Sequence, residues 1–419
     1  MERNLRLLGV GMATRTFGAA LYNPFLALFL QNVLGVGYLE IGVIIAGVGL
    51  VQLPFNFAGG LLTDRVGRRR LILLGLAGET AATAGLAYTF SLESLAGAIV
   101  AATLGGLITT VAGPASSAYV ADFAAGPQRT RGFTWIRIGF NVGFSAGVTL
   151  GGILVAVIGF AGSVGVAAGV IAVATLAMFL ALDPSPFDRR LAAASSESST
   201  SRLPDATTIP PAGRPVRESL RLLANDWPAL EALLAIAFAS LVVGQWSVIF
   251  PLFVHNVLGI SYSLLGIGLA LNGLVVVFGQ SATTERVLGM RHTTIAVLGV
   301  IFYVAAFLVL GVAGLYAFFP LAVFFGSVVV LTIGENLITI PQSTFPSNLA
   351  PAGEVGSYNG AFALVGSAGF LASVLIGGWV LSLTANPLLI WLLLCAPALG
   401  SVILFRDVAR RIPRAVDTA

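Results

Sequence analysis

Residues 60–70 read Gly60-Leu61-Leu62-Thr63-Asp64-Arg65-Val66-Gly67-Arg68-Arg69-Arg70. This short polar stretch separates two apolar runs of about 20 residues each, the length that crosses the hydrocarbon core of a bilayer. Gly67 permits the tight turn that so short a loop requires, and Gly60 allows neighbouring helices to approach closely. Asp64 stands beside four arginines, so it is expected to be ionised. The stretch therefore predicts a charged turn between two membrane-spanning helices.

The composition excludes most soluble functions. Of the 419 residues, 57% are hydrophobic and only 10% are charged, against about 25% charged residues in soluble domains. One cysteine excludes an internal disulfide, and two histidines are too few for the usual zinc sites of His and Cys ligands. The sequence has no phosphate-binding loop and no catalytic constellation. We therefore expect no enzyme, no cofactor, no metal and no nucleic-acid partner.

The apolar runs predict twelve membrane-spanning helices. A segment rich in Ser and Pro, at 183–225, divides them equally and is predicted to be a flexible cytoplasmic linker. The chain is thus expected to form one six-helix bundle at 1–182, a second at 226–406, and a cytoplasmic tail at 407–419. The predicted spans are 7–32, 38–62, 70–90, 94–122, 132–158, 162–182, 228–256, 262–284, 293–312, 315–346, 357–383 and 387–405.

The arginines give the orientation of the chain. All 22 basic residues are arginines. Those outside the predicted spans lie before span 1, in the loops that follow even-numbered spans, in the linker or after span 12, and therefore on one side of the membrane. The positive-inside rule then predicts that both termini are cytoplasmic and that the protein lies in the cell membrane. An even number of spans is required for this, which supports twelve independently of hydropathy.

The two halves resemble each other. The residues from 31 to 38, which read QNVLGVGY, match HNVLGISY at 255–262, 224 positions later. Gly151-Gly152 likewise matches Gly377-Gly378. Two related halves predict a binding site near the midplane at their interface, opened alternately to the two sides. A duplication retained in a channel or a receptor is the alternative.

Residues 60–70, together with the twelve spans, the repeat and the central linker, resemble the major facilitator superfamily, whose signature loop between spans 2 and 3 is called motif A. The resemblance covers essentially the whole chain. It implies an all-α membrane protein with twelve transmembrane helices in two pseudo-symmetric six-helix bundles.

The resemblance also implies a gate at the cytoplasmic ends of the spans. Asp64 would meet the start of span 11, Arg68 would bridge to Asp122, and Arg131 would complete the family's acid–loop–arginine pattern. In relatives this cluster locks the outward-facing state and must break before the site faces the cytoplasm. The alternative is that the arginines only hold the loop inside. The residues assigned to motif A and gating are Gly60, Asp64, Arg65, Gly67, Arg68, Asp122 and Arg131.

Span 5 carries small residues but departs from the pattern of proton-driven exporters. Gly139, Gly143, Gly147 and Gly151 are spaced four apart and predict one closely packed helix face. Exporters of the family usually carry Gly-Pro-x-x-Gly-Gly in this span, and here Val148 replaces the proline. They also often carry an arginine in span 4, whereas residues 95–121 have no charge. Both departures weaken the assignment to exporters.

Four ionisable residues lie well inside the predicted spans: Arg15, Glu79, Arg137 and Glu335. A charge there costs about 2.5–3.5 kcal/mol or more, so each must face a cavity, find a partner or become neutral. Glu335, among apolar neighbours, is the first candidate for proton coupling, with substrate contact and an arginine pair as alternatives. Arg15 is expected to hold Glu335, Glu79 or an anionic substrate. For Arg137 and Glu79 a structural pair is favoured, and Glu79 is also a proton-coupling candidate.

Neutral polar and aromatic residues complete the predicted cavity, because an aromatic ring can stack on a flat or cationic ligand. For each, ordinary packing is the alternative. The substrate-cavity candidates are Arg15, Asn23, Tyr119, Gln245, Trp246, Asn336 and Gln342.

These patterns predict a monomeric secondary transporter that moves a small organic solute by alternating access. Because the cavity candidates mix polar, aromatic and aliphatic side chains, proton-coupled export of drug-like or amphipathic compounds is the first hypothesis. Uptake or facilitated movement of a sugar or an organic anion is the second. A membrane receptor or scaffold that transports nothing is the alternative of another class.

Overall fold

The computed structural model describes residues 2–123, 127–197, 216–351 and 354–418. In this part of the chain the secondary structure is helical, apart from one isolated β-bridge. Two 3-10 turns, at Asn23–Phe25 and Gly244–Trp246, interrupt helices. The α-helices are α1 Glu2–Ala20, α2 Leu26–Asn32, α3 Tyr38–Val66, α4 Arg68–Ser91, α5 Leu95–Phe123, α6 Pro127–Ala181, α7 Pro186–Glu197, α8 Val216–Asn225, α9 Trp227–Val243, α10 Ile249–Asn256, α11 Tyr262–Val287, α12 His292–Tyr316, α13 Pro320–Leu349, α14 Val355–Leu383, α15 Pro387–Cys395 and α16 Pro397–Arg411.

The helices confirm the predicted all-α membrane fold with twelve spans. Within the described residues, nine helical segments are long and apolar enough to cross a membrane. One of them, Ile138–Ala181, holds two spans, because Gly159 has a φ of 74° and breaks the helical backbone there. Span 1 is built from α1, a 3-10 turn and α2, and span 2 from α3, whose apolar segment is Tyr38–Gln52.

The chain divides into two compact units. Unit 1 comprises Met1–Val36, Ile44–Pro204 and Ser261–Gly273, and unit 2 comprises Gly37–Val43, Asp205–Ile260 and Leu274–Ala419. The predicted linker at 183–225 includes two helices, α7 and α8. Its residues 198–215 lie outside the described part of the chain.

Unit 1 is held together by the close approach of α6 to α1. Gly139, Gly143 and Gly147 face the backbone of α1, and Gly151 faces that of Leu21 just after it. A Cβ atom added at any of them would overlap these residues. The glycine pattern of span 5 therefore has the packing role that the sequence predicts.

Unit 2 packs around large aromatic side chains. The Trp391 ring stacks on Phe307 with ring centroids 4.4 Å apart and meets Phe253 edge-on at 5.2 Å. All three residues are buried. Offset and edge-on rings fill space densely, so α10, α12 and α15 share one apolar core.

The internal repeat is preserved in the backbone. After α2, Gly35 has a φ of 66°, and after α10, Gly259 has a φ of 68°. The amide of Val36 donates to the carbonyl of Leu30 at 2.9 Å, and the amide of Ile260 donates to the carbonyl six residues earlier at 3.2 Å. Both helices thus end in the same left-handed glycine cap, which satisfies carbonyl groups at the helix end.

An aspartate from the end of each half caps the third span of that half. In unit 1, the Asp188 carboxylate accepts the amides of Arg68 and Arg69 at 2.6 and 3.1 Å. In unit 2, the Asp417 carboxylate accepts the amide and the hydroxyl of Thr293 at 2.9 and 2.7 Å. A carboxylate suits a helix N-terminus because its first amides lack partners and its dipole is positive.

We predict that Gly143→Ala lowers the apparent melting temperature of the detergent-purified protein, because its Cβ would overlap the backbone of α1 at a cost of about 1–3 kcal/mol. Gly169→Ala, also in α6, is the control. Its Cβ would meet nothing within 4 Å, and alanine favours a helix over glycine by about 0.5–1 kcal/mol. Equal melting temperatures for the two variants would contradict this account of the packing.

Candidate functional site

A cavity of about 290 Å³ lies within unit 1, and we call it the Glu79 cavity. Its walls come from α1, the first 3-10 turn, α2, α3, α4 and α5. Small side chains of α5 leave the space, and a Cβ atom at Gly106 would overlap the side chain of Gln52. Its lining residues are Arg15, Ala19, Tyr22, Asn23, Leu26, Val48, Gln52, Glu79, Ala82, Thr83, Leu86, Ala101, Ala102, Gly105, Gly106 and Thr109.

An ion pair stands on the wall of this cavity. Nε of Arg15 on α1 lies 2.5 Å from Oε2 of Glu79 on α4. The Glu79 side chain is 8% exposed and that of Arg15 is 28% exposed. The same two residues line a second cavity of about 40 Å³, which Ser116 also lines. The sequence analysis expected Glu335, Glu79 or an anionic substrate as the partner of Arg15. In the structure Arg15 is paired with Glu79.

Further polar groups surround the pair. Tyr22 and Thr83 line the cavity beside the pair, and the Thr83 hydroxyl donates to the carbonyl of Glu79 at 2.8 Å. Gln52 lies across the cavity and accepts a hydrogen bond of 3.4 Å from Thr110. The sequence analysis assigned no role to Tyr22, Gln52 or Thr83. The signal for Thr83 was its spacing, because a residue four positions after Glu79 lies on the same helix face.

The second intramembrane carboxylate lies in unit 2. Glu335 on α13 is half-buried, and its charge acts electrostatically on Tyr303 of α12. The neighbouring Asn336 is 1% exposed, and neither polar atom of its side chain has a hydrogen-bond partner among the described residues. A buried amide without partners is costly, so this position is a candidate ligand contact.

The other cavity candidates of unit 2 differ in their surroundings. Nε2 of Gln245 donates to the carbonyls of Leu241 and Ser373 at 2.9 and 3.0 Å, so its amide group is held by the backbone. Trp246 packs on Phe250 with ring centroids 4.5 Å apart. Gln342 is exposed.

Tyr119 is a correction to the predicted cavity. Its side chain is fully buried in the apolar core that α1, α4, α5 and α6 form, and it does not line the Glu79 cavity. Its hydroxyl donates to the carbonyl of Asp183 at 2.6 Å. A tyrosine in an apolar helix fits a core equally well when its hydroxyl finds an acceptor, which explains the wrong assignment. Asn23, by contrast, lines the Glu79 cavity.

The turn of motif A adopts the conformation that its sequence predicts. Gly67 has a φ of 96°, in the region that favours glycine. Nε of Arg68 lies 3.1 Å from Oδ2 of Asp122, which confirms the predicted bridge. The Arg68 guanidinium also donates to the carbonyl of Thr63 at 3.0 Å and lies 3.4 Å from the centroid of the Phe187 ring.

The sequence analysis missed two residues that complete this cluster. The amide of Ser185 donates to the Asp188 carboxylate at 2.8 Å, and the amide of Asp188 donates to the Ser185 hydroxyl at 3.1 Å. This is a capping box, and the spacing Ser-x-x-Asp at the start of α7 was its signal. The Ser185 hydroxyl also donates to Asp122 at 2.7 Å. We call Arg68, Asp122, Ser185 and Asp188 the Asp188 cluster.

For the other residues predicted for motif A and gating, and for Arg137, the structure describes no side-chain hydrogen bond or ion pair. Gly60 lies within α3, and Arg65 is exposed near the end of that helix. The side chains of Asp64, Arg131 and Arg137 lie outside the described ones. Across the described residues, no group of three or more His, Cys, Asp or Glu could hold a metal ion.

Comparison with known proteins identifies relatives of the chain. The chain is 28% identical over 382 residues to the uncharacterised MFS-type transporter YttB of Bacillus subtilis, covering 90% of this chain and 88% of that protein. It is 39% identical over 117 residues to the class C tetracycline resistance protein of Escherichia coli, covering 28% of each chain.

Solved structures agree on the fold. An auto-inhibited POT family peptide transporter superposes with a TM-score of 0.73 at 17% identity, covering 98% of this chain and 97% of that one. The family model described as Major Facilitator Superfamily matches residues 8–374. The chain belongs to the Major Facilitator Superfamily.

Proposed function

We propose that the protein is a secondary transporter of the cell membrane that exports small amphipathic organic cations in exchange for protons, and that Glu79 carries the proton. The observation that supports this is the Arg15–Glu79 ion pair on the wall of a polar cavity. A carboxylate that alternates between an arginine partner and a proton has two states with different charge. Such a group can couple a proton to a solute.

The net charge of the cavity determines whether a proton and a solute are exchanged or carried together. Arg15 stays protonated at every physiological pH, so the pair is neutral while Glu79 is ionised. A proton that binds Oε2 of Glu79 breaks the ion pair and leaves one positive charge in the cavity. That charge repels a bound cation, which leaves, and loss of the proton on the other side restores the pair. A cation and a proton therefore exclude each other, which is the condition for exchange.

The apolar lining suits an amphipathic compound. Leu26, Val48 and Leu86 line the cavity beside the ring of Tyr22, and an aromatic face attracts a cation. The partial similarity to a tetracycline resistance protein makes tetracycline a reasonable first probe. An organic anion is the second candidate, because an Arg15 released from Glu79 would bind a carboxylate.

Two further parts of the proposal come from the arginine-rich ends of the helices. We place both termini in the cytoplasm, on the side where the loop arginines gather. We also propose that the Asp188 cluster stabilises one of the two conformations of the transport cycle. Its buried charged groups hold the ends of α4 and α5 to α7, so a movement of these ends would have to separate them.

We predict that Glu79→Gln abolishes proton-driven accumulation of tetracycline in proteoliposomes. With the membrane potential clamped, a pH gradient of one unit drives about tenfold accumulation when one proton exchanges for one solute. Glutamine keeps the shape but carries no transferable proton, and it leaves the charge of Arg15 uncompensated at every pH. The gradient should therefore drive no accumulation, and exchange of labelled for unlabelled tetracycline should slow. Glu285→Gln, at an exposed position on α11, is the matched control.

Glu335→Gln separates the two candidate carboxylates in the same assay. If accumulation survives in Glu79→Gln and is lost in Glu335→Gln, the proton carrier is Glu335 and the assignment to Glu79 is wrong. If none of several cationic, neutral and anionic solutes moves under any gradient, the transport proposal itself fails.

We predict that binding of a cationic solute weakens as the pH falls, because protonation of Glu79 leaves the charge of Arg15 uncompensated. Isothermal titration at a series of pH values would measure this, and the dependence should vanish in Glu79→Gln. Tighter binding of a cation at low pH would contradict the proposed sign. An anionic ligand should show the opposite trend.

We predict that Asp122→Asn changes the access to the Glu79 cavity, because it removes the carboxylate that Arg68 and Ser185 share. The reporter is Asn23→Cys in a Cys395→Ser background, labelled with an impermeant maleimide from each side of oriented vesicles. Release of one conformational lock should change the labelling ratio by about fivefold or more.

The matched control for the lock is Asp407→Asn, which removes a carboxylate paired with Arg411 on the exposed face of α16. The control should leave the labelling ratio of Asn23→Cys unchanged. An unchanged ratio in Asp122→Asn as well would exclude the cluster as a gate.

A further inference from the structure

We propose that unit 1 carries a binding site for an anionic phospholipid, with an acyl chain between α4 and the second half of α6 and the phosphate among the arginines at their ends. Two adjoining cavities carry this inference. We call them the α4–α6 groove and the arginine pocket. Neither is part of the Glu79 cavity, and the arginine pocket shares one residue, Asp188, with the Asp188 cluster.

The α4–α6 groove has a volume of about 670 Å³ and an apolar wall. Leu74, Leu176 and Phe179 are 62%, 58% and 58% exposed, so the groove opens to the surface of unit 1. Its lining residues are Arg69, Arg70, Leu73, Leu74, Ala77, Thr80, Ala172, Thr175, Leu176 and Phe179.

The two threonines of the groove offer no free polar group to an occupant. The Thr80 hydroxyl donates to the carbonyl of Leu76 at 2.8 Å, and the Thr175 hydroxyl donates to the carbonyl of Ile171 at 2.8 Å. The two hydroxyl oxygens lie 3.2 Å from each other. The wall between Leu73 and Thr80, about 10 Å along the helix, therefore suits a hydrocarbon chain.

The arginine pocket has a volume of about 450 Å³ and shares Arg69 and Arg70 with the groove. Arg65 and Arg189 also line it, as does Asp188. Four guanidinium groups against one carboxylate leave a net charge of three positive units. The pocket therefore attracts an anion more strongly than a zwitterion.

Of the five charged groups that line the arginine pocket, two already accept or donate hydrogen bonds, and the other three are exposed. Arg69 donates to the carbonyls of Leu182 and Phe179 at 2.6 and 2.7 Å, and so joins the ends of α4 and α6. The Asp188 carboxylate is occupied by backbone amides. In contrast, Arg65, Arg70 and Arg189 are exposed, and none forms an ion pair with a described side chain.

The position of the pocket favours a lipid over a soluble anion. Arg70 lies in the first turn of α4, and Phe179 lies in the last turn of α6, where the spans reach the headgroup layer. The apolar groove runs from there along the spans. A phosphate in the pocket would thus have its acyl chain in the groove, and a soluble phosphate would leave the groove empty.

Native mass spectrometry of the full-length protein tests the site. The protein is offered equal amounts of phosphatidylglycerol and phosphatidylcholine with identical acyl chains. We expect preferential retention of phosphatidylglycerol, whose headgroup is anionic where that of phosphatidylcholine is zwitterionic, by about fivefold for each arginine close to the headgroup. The triple variant R65Q/R70Q/R189Q should lose this preference. The matched control R406Q/R410Q/R414Q, which removes three exposed arginines of unit 2, should keep it.

A second pair of variants tests the groove. Ala77→Trp would fill it and should reduce retention of phosphatidylglycerol, whereas Ala84→Trp, seven residues later on the same exposed face of α4, should not. Equal retention of the two lipids by the native protein, or equal loss in both triple variants, would overturn the proposal. Displacement of the lipid by an equal concentration of glycerol phosphate would assign the pocket to a soluble anion instead and also overturn it.

Discussion

A charged side chain within the hydrocarbon core must find a partner, and the pairing of Arg15 with Glu79 meets this constraint in unit 1. Removal of either partner alone would leave a buried charge, which is far more costly than the loss of the whole pair. A well-packed apolar substitution of both residues would satisfy the fold equally well. The stability that the pair gives to α1 and α4 is therefore not by itself a reason for these two residues to be charged.

The first backbone amides of a helix have no partners within it, which is the second constraint. The two halves provide such partners in the same way. Asp188 and Asp417 each follow the last span of their own half. Each accepts backbone amides at the start of the third span of that half. In unit 1 this cap also connects to Asp122 through Ser185. One set of hydrogen bonds thus joins the motif A turn, the end of α5 and the start of α7.

Local sequence was sufficient for the spans, for the left-handed turn at Gly67 and for the glycine face of α6, because each depends on residues close together in the chain. Long-range choices were not accessible in this way. The preference of Arg15 for Glu79 depends on how α1 packs on α4. Tyr119 was misplaced because periodicity does not distinguish a core-facing side chain from a cavity-facing one.

The structure explains why span 5 can carry Val148 where exporters of the family usually carry proline. Gly147 still contacts the backbone of α1, Gly151 contacts that of Leu21 just after it, and Gly152 faces the carbonyl of Tyr262 within unit 1. A proline at Val148 would add nothing to these contacts and would remove one helical hydrogen bond. The close packing that the glycines provide is therefore separable from the kink that a proline would introduce. It follows that Val148 argues against a bent fifth span, while the glycines on either side of it account for the close packing of α6 against the first span.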